Sequence, residues 1–175
     1  MRRITNGGTL WIPRPSLVVL IGPSGSGKSF LARRLFSPYE VVSSDACRAM
    51  ISDSEDDQSV TPDAFELLRH IVRLRLAAGR LAVVDATNIH QSARRRNLDL
   101  AQEFGVDAIA IVLDVPAESC LAQNARRRGR VVPSRAILEQ RRDLEAALPG
   151  LKAEGFSVIY RLDEKAMSDL LALES

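Results

Sequence analysis

The chain has 175 residues, 46% hydrophobic, 26% charged and only 5% aromatic, with a formal net charge of +2. This length suits one domain with a real core, since a chain of about 150 residues buries roughly two-thirds of its unfolded surface. The near-neutral total excludes a globally basic nucleic-acid coat, leaving local arginine clusters to meet any polyanion, and no apolar run approaches the ~18 residues of a membrane span. Cys47 and Cys120 lie far apart outside any disulfide or zinc motif and read as small buried hydrophobes. With no signal-peptide core in residues 1–15, a cytoplasmic protein with no membrane partner is expected.

In chain order, Met1 to Pro15 carries Gly7, Gly8, Pro13 and Pro15 and reads as an irregular lead-in with a short strand at Thr9 to Ile12, where Trp11 anchors onto the core. Leu17 to Ile21 is a continuous β-prone apolar run, and Phe30 to Phe36 continues as a helix that Ser37-Pro38 ends. Tyr39 to Val42 is a second strand running into Ser43-Ser44-Asp45, where serine caps a helix. That cap puts Asp45 in the first turn and Arg48 one turn on, on the same face. Ser52 to Ser59 is an acidic exposed loop. Thr61-Pro62-Asp63 starts a helix with Phe65, Leu68, Val72 and Leu76 at helical spacing, terminated by Gly79; His70 within it is structural or exposed. Arg80 to Val84 is a third strand ending in Asp85-Ala86-Thr87-Asn88, and Ile89 to Phe104 a helix bearing Arg94, Arg95 and Arg96. Val106 to Leu113 is the fourth strand, with Asp114 as a cap before a helix from Pro116 to Gly129. A helix from Ser134 to Leu148, a fifth strand at Phe156 to Tyr160 and a helix from Asp163 to Leu173 complete the chain.

Strands alternating with helices predict an α/β fold: a parallel sheet of about five strands flanked by helices on both faces, in one domain over residues 1–175. Ligands collect at the carboxyl ends of such strands, so the turn after Ile21, Asp45 and Asp85 are expected on one rim.

Gly22 to Ser29 matches G-x-x-x-x-G-K-[ST] between a strand and a helix. Gly22, Ser24, Gly25, Ser26 and Gly27 supply backbone N–H groups for phosphate oxygens. Lys28 supplies charge to the β and γ phosphates, and Ser29 a hydroxyl to Mg²⁺. A nucleoside triphosphate, ATP or another NTP, with Mg²⁺ is therefore the expected cofactor pair. Asp45 is the best general base for an acceptor hydroxyl, or a carboxylate serving the helix dipole. Arg48 either grips a substrate phosphate or lies on the surface. Asp85 supports Mg²⁺ through water or caps a helix, and Asn88 serves as cap and substrate contact together. Arg126 to Arg130 fall where a P-loop kinase carries a mobile lid, about residues 116–148, although Arg128 reads better as a solvated helix end. Arginine suits a lid because its planar fork clamps phosphate oxygens. Arg94 to Arg96 are either a phosphate track or an exposed face.

The runs VVLIGPSGSGKS, SSDACR (Ser43 to Arg48), ISDSEDDQSVT (Ile51 to Thr61) and VVDATNIHQSARR (Val83 to Arg95) closely resemble the kinase domain of bacterial polynucleotide kinase-phosphatase, Pnkp. The likeness continues through NARRRGR (Asn124 to Arg130) and KAEGF (Lys152 to Phe156), so it covers nearly the whole chain. The resemblance implies transfer of the γ-phosphate of an NTP to the 5′-hydroxyl of RNA or DNA, at single-stranded or nicked ends in nucleic-acid repair. It makes Lys28 and Ser29 the triphosphate and Mg²⁺ residues, Asp45 the general base and Arg48 the contact to the acceptor's terminal phosphodiester. It also makes Arg127 and Arg130 the lid contacts to phosphate. The family usually continues into phosphatase and ligase-like domains, so a stand-alone kinase working with separate phosphatase or ligase proteins, or an excised domain, is expected. Ser29-Phe30 replaces a frequent serine-threonine pair, a change expected to affect packing more than chemistry.

The leading expectation is a 5′-polynucleotide kinase. The alternatives are a kinase of a small alcohol or nucleotide-sugar, like gluconate kinases or zeta-toxin-like proteins, and an NTP-dependent binding module.

Overall fold

The computed structural model describes residues 2–4, 10–127 and 131–172. In the lead-in, β1 (Arg2–Ile4) and β2 (Leu10–Ile12) pair antiparallel as a two-stranded ribbon. Strand β1 was not expected, because three residues carry no readable alternation. Leu10 and Ile12, rather than Trp11, anchor this segment: the Trp11 indole is 43% exposed. Its backbone is gripped instead, since the Trp11 N–H donates to the Tyr160 hydroxyl at 2.8 Å.

The chain then alternates as β3 (Ser16–Ile21), α1 (Lys28–Leu35), β4 (Val41–Ser43), α2 (Ser44–Ser52), α3 (Thr61–Ala77), β5 (Ala82–Asp85), α4 (Gln91–Glu103) and β6 (Asp107–Leu113). It ends with α5 (Ala117–Ala125), α6 (Ser134–Ala147), β7 (Val158–Leu162) and α7 (Glu164–Ala172). Strands β3 to β7 form one parallel sheet in the order β4-β5-β3-β6-β7. Central β3 is buried at every position, which is why its sequence runs apolar without alternation from Leu17 to Ile21. Val18 and Leu20 pack with Leu31 and Leu35 of α1 and Met167 of α7. Leu17, Val19 and Ile21 face the other way, toward Leu68 and Val72 of α3, Leu98 of α4 and Leu144 of α6. Each such aliphatic side chain stabilises the fold by about 1.5–3 kcal/mol on full burial.

Several boundaries move. Strand β7 begins two residues later than expected, and α5 ends at Ala125, short of Gly129. Pro149 does not stop the chain's helical course; Leu148–Ala153 continues as a 3₁₀ helix, where a proline near the start has no intrahelical N–H to lose. Asp114 caps nothing, for α5 has no side-chain cap; its carboxylate pairs with Arg141 at 2.9 Å and Arg161 at 2.5 Å, tying α6 to β7. Cys47 and Cys120 are buried free thiols. Among the described residues no helix is long and apolar enough to cross a membrane.

Candidate active site

The sheet order sets the site. With β5 beside β3 and β4 beyond it, the turns after β3, β4 and β5 open on one rim. A backbone bond from Gly22 N–H to the Thr87 carbonyl, 3.0 Å, joins the first and third of these turns. The glycine loop then bends through Gly25 (φ 81°) and Gly27 (φ 94°) into α1. At Gly25 a Cβ would lie 2.2 Å from the Cys120 carbonyl oxygen, so α5 presses on the loop where only glycine fits.

Lys28 is buried within the loop, its Nζ donating to the carbonyls of Gly22 (2.8 Å) and Pro23 (2.7 Å) and to Ser26 Oγ at 3.4 Å. Burial pulls its pKa down to about 8, with the Asp85 charge opposing the fall. Asp85 closes β5, and burial raises its pKa against the hydrogen bond from Ser29 and the charge of Lys28. Ser43 caps α2 through its Oγ, which accepts from Ala46 N–H at 3.3 Å. This places Asp45 in the first turn, ion-paired with Arg48, whose Nε donates to the Glu55 carbonyl at 3.1 Å. Lys28, Ser29, Asp45, Arg48, Asp85 and Arg127 thus line one cavity of about 180 Å³.

The sequence matches the family described as an AAA domain over residues 17–148. The chain belongs to that family. No curated protein matches the sequence. Among solved structures, it is similar to a chain of the Pnkp1/Rnl/Hen1 RNA repair complex, at 24% identity and a TM-score of 0.67 over 78% of this chain. It covers 46% of that chain, about half its length. It is also similar to the Mycobacterium tuberculosis APS kinase CysC in complex with AMPPNP and APS, at 22% identity and a TM-score of 0.51 over 94% of this chain and 100% of that one. A sugar kinase from Janibacter sp. HTCC2649 gives 22% identity and a TM-score of 0.57 over 91% and 94%. These likenesses show the P-loop kinase fold, one that binds nucleoside triphosphates.

Within this AAA-domain chain, the arginines expected in a lid divide. Arg127 is exposed and lines the cavity, and the Asn124 side chain clasps Val132, at 2.8 Å to the carbonyl and 3.0 Å from the N–H. Arg130, expected as the second lid contact, and Arg128 lie outside the described residues. Asn88 adopts φ 48° and spends its amide inside the fold, donating to the carbonyls of Leu20 (2.7 Å) and Ala86 (3.2 Å) and accepting from Asn97 (3.2 Å). It fixes the rim rather than capping α4, whose N-cap is His90.

Nor do Arg94, Arg95 and Arg96 act together. Arg94 is 2% exposed and holds Glu154 through two bonds of 2.7 and 2.6 Å while donating to the Asn88 and Ile89 carbonyls. Arg95 pairs with Asp99 on the surface, leaving Arg96 alone of the three turned to a cavity. Sequence reasoning missed Gln140, whose Oε1 accepts the Ser24 N–H at 2.8 Å, joining α6 to the phosphate loop. Gln140 stands three residues after buried Ile137 and four before buried Leu144, so the helical spacing marks it as inward-facing, although nothing in the sequence names Ser24 as its partner.

Proposed function

We propose that this chain is a polynucleotide 5′-hydroxyl kinase that transfers the γ-phosphoryl group of ATP or another NTP to the 5′ end of RNA or DNA. The observation that carries the reading is the Asp45–Arg48 pair facing the cavity that Lys28, Ser29 and Asp85 also line. A protein that only bound the nucleotide would need no carboxylate held there.

The donor set fits Mg²⁺. Ser29 offers a hydroxyl and Asp85 a buried carboxylate bonded to it, both hard oxygen ligands. Among the described residues no group of three His, Cys, Asp or Glu would cage a metal unaided, as suits an ion held largely by phosphate oxygens. When bound, Mg²⁺ neutralises charge on the β and γ oxygens.

Asp45 accepts the proton of the 5′-hydroxyl as its oxygen forms a bond to the γ-phosphorus. The bond from that phosphorus to the β–γ bridging oxygen breaks, leaving its electron pair on ADP beside Lys28. Arg48, fixed by Asp45 and the Glu55 carbonyl, orients the base and reaches the acceptor from the same wall. Arg127 enters from the lid over the migrating group, and the resemblance to the Pnkp kinase domain gives Arg130 the same role. Sealing of the 5′-phosphate by a separate ligase is the natural next step.

The test is transfer of label from γ-labelled ATP with Mg²⁺ to a single-stranded oligonucleotide with a 5′-hydroxyl, alongside the same strand bearing a 5′-phosphate. Label on the hydroxyl form alone supports the proposal. No label on either strand, from protein that binds ATP, overturns it in favour of a small-alcohol or nucleotide-sugar kinase.

A further inference from the structure

A second cavity, of about 310 Å³, lies between α3 and α4. Phe65 and Thr87 line both cavities, so a group whose hydroxyl reaches Asp45 extends directly into the second. Its volume falls at the lower end of the ~300–1,000 Å³ of small-molecule sites.

Its chemistry differs from the first. The walls are apolar, from Phe65, Leu68 and Ile89, while the rim carries Arg69, Arg96 and His90. No carboxylate is among the described residues that line it. Arg69 and Arg96 have no ion-pair partner among the described residues, whereas Arg48, Arg94 and Arg95 each hold one. A sugar alcohol wants carboxylates and free amides to accept its hydroxyl protons, whereas the two lining asparagines, Asn88 and Asn97, are bonded to each other and to the Leu20, Ala86 and Ala93 carbonyls; it also gains little from apolar walls or from unpaired guanidinium groups. A nucleotide wants both features: an apolar or aromatic surface for its base and arginine forks for its phosphodiester.

We infer that this cavity seats the 5′-terminal nucleotide of the acceptor, with the base among Phe65, Leu68 and Ile89 and the phosphodiester beyond the one that Arg48 reaches on Arg69 and Arg96. The inference rests on the polynucleotide kinase reading and adds to it the part of the site that selects a nucleic acid. Because the walls offer few directed hydrogen bonds, the base is held by shape and stacking, and its identity matters little.

The experiment is steady-state kinetics of the full chain at saturating ATP and Mg²⁺. The acceptors are a 5′-hydroxyl oligonucleotide and the same strand with an abasic 5′-terminal position. Arg69→Ala and Arg96→Ala are each expected to raise the acceptor KM about tenfold or more, leaving kcat and the ATP KM unchanged. Arg→Lys at either position should restore only part of the loss, since the point charge remains without the fork. Ala93→Leu, which adds bulk to the cavity wall, should raise KM for the intact strand and not for the abasic one. Acceptor KM values unchanged in all these variants, with a strand that the wild-type protein phosphorylates, would overturn the cavity assignment and leave the kinase reading standing. Equal losses in the ATP KM would also overturn it, as a structural effect. Failure of the wild-type protein to label the strand at all would instead bring down the kinase reading and this assignment with it.

Discussion

The two halves of the rim are built by different means. On the phosphate side, position is set by backbone: left-handed glycines, a loop pressed against the Cys120 carbonyl, and a lysine folded onto two carbonyls of its own loop. On the side proposed for the acceptor, position is set by side-chain contacts: Asp45 with Arg48, Arg48 with the Glu55 carbonyl, and Arg94 with Glu154. Backbone geometry tolerates little variation and imposes a fixed spacing on the sequence. Paired side chains leave the acceptor side free to be rebuilt for a different acceptor while the phosphate loop stays the same.

The sharpest test of this contrast is Asp45→Ala. Loss of the proposed general base is expected to lower kcat by about 10²–10⁴-fold, with ATP binding retained because the phosphate side does not depend on the pair. Asp45→Asn keeps a hydrogen-bond acceptor for buried Arg48 and separates the lost base from the lost partner. Equal loss of ATP affinity in both variants would show that the halves are not independent. Next in size is Arg94→Ala, which strands Glu154 in a buried position and should cost about 3–5 kcal/mol of stability. Denaturant unfolding would measure it, and an effect confined to acceptor binding would return Arg94 to the phosphate-track reading.

How far the sequence was legible follows the span of each contact. The glycine loop, Lys28 and the Ser43 cap that sets Asp45 all depend on spacing within a few residues, and the structure places them as read. Arg94 was misread as one of a run of three, though the run is split by helix geometry. Arg94, Asn97, Leu98 and Ala101 recur at i, i+3, i+4 and i+7 and are all buried, which marks Arg94 as inward-facing from the pattern alone. Its partner carried no such mark, since Glu154 is 60 residues away on the other side of two helices. Asp114 was read as a cap for the same reason: its partner Arg161 lies 47 residues on.

The buried lysine gives the phosphate side a pH signature. Its pKa of about 8 in the free protein lies below the ordinary 10.5 because burial penalises the charged form. Below about pH 8 the folded and unfolded chains both carry the proton and the burial cost is fully present. As pH rises from about 8 toward 10.5 the folded chain sheds the proton first, so this group's contribution to stability increases. ATP affinity should run the opposite way, because phosphates hold the ammonium form. Above pH 8 binding takes up a proton and weakens by up to about tenfold per pH unit. Calorimetry in buffers of differing ionisation enthalpy would show uptake at pH 9 and none at pH 7; no uptake at either pH would mean that Lys28 is charged before ATP arrives.

The smallest effect asks whether the lid belongs to the phosphate side or is merely docked on it. The Ser24 N–H is a donor of the phosphate loop, yet it is already satisfied by Gln140 Oε1 at 2.8 Å. If α6 stays docked when the triphosphate binds, the bond is structural, and Gln140→Ala should cost about 0.5–1.5 kcal/mol of stability with ATP affinity unchanged. We expect that outcome, because the Asn124 side chain, bonded to both the carbonyl and the N–H of Val132, ties the end of α5 to the start of α6 independently of any ligand. Should Gln140→Ala instead bind ATP more tightly, the amide is being handed from glutamine to phosphate. Gln140 would then be a placeholder that α6 must withdraw, and closure of the lid would be coupled to the loop through this single bond.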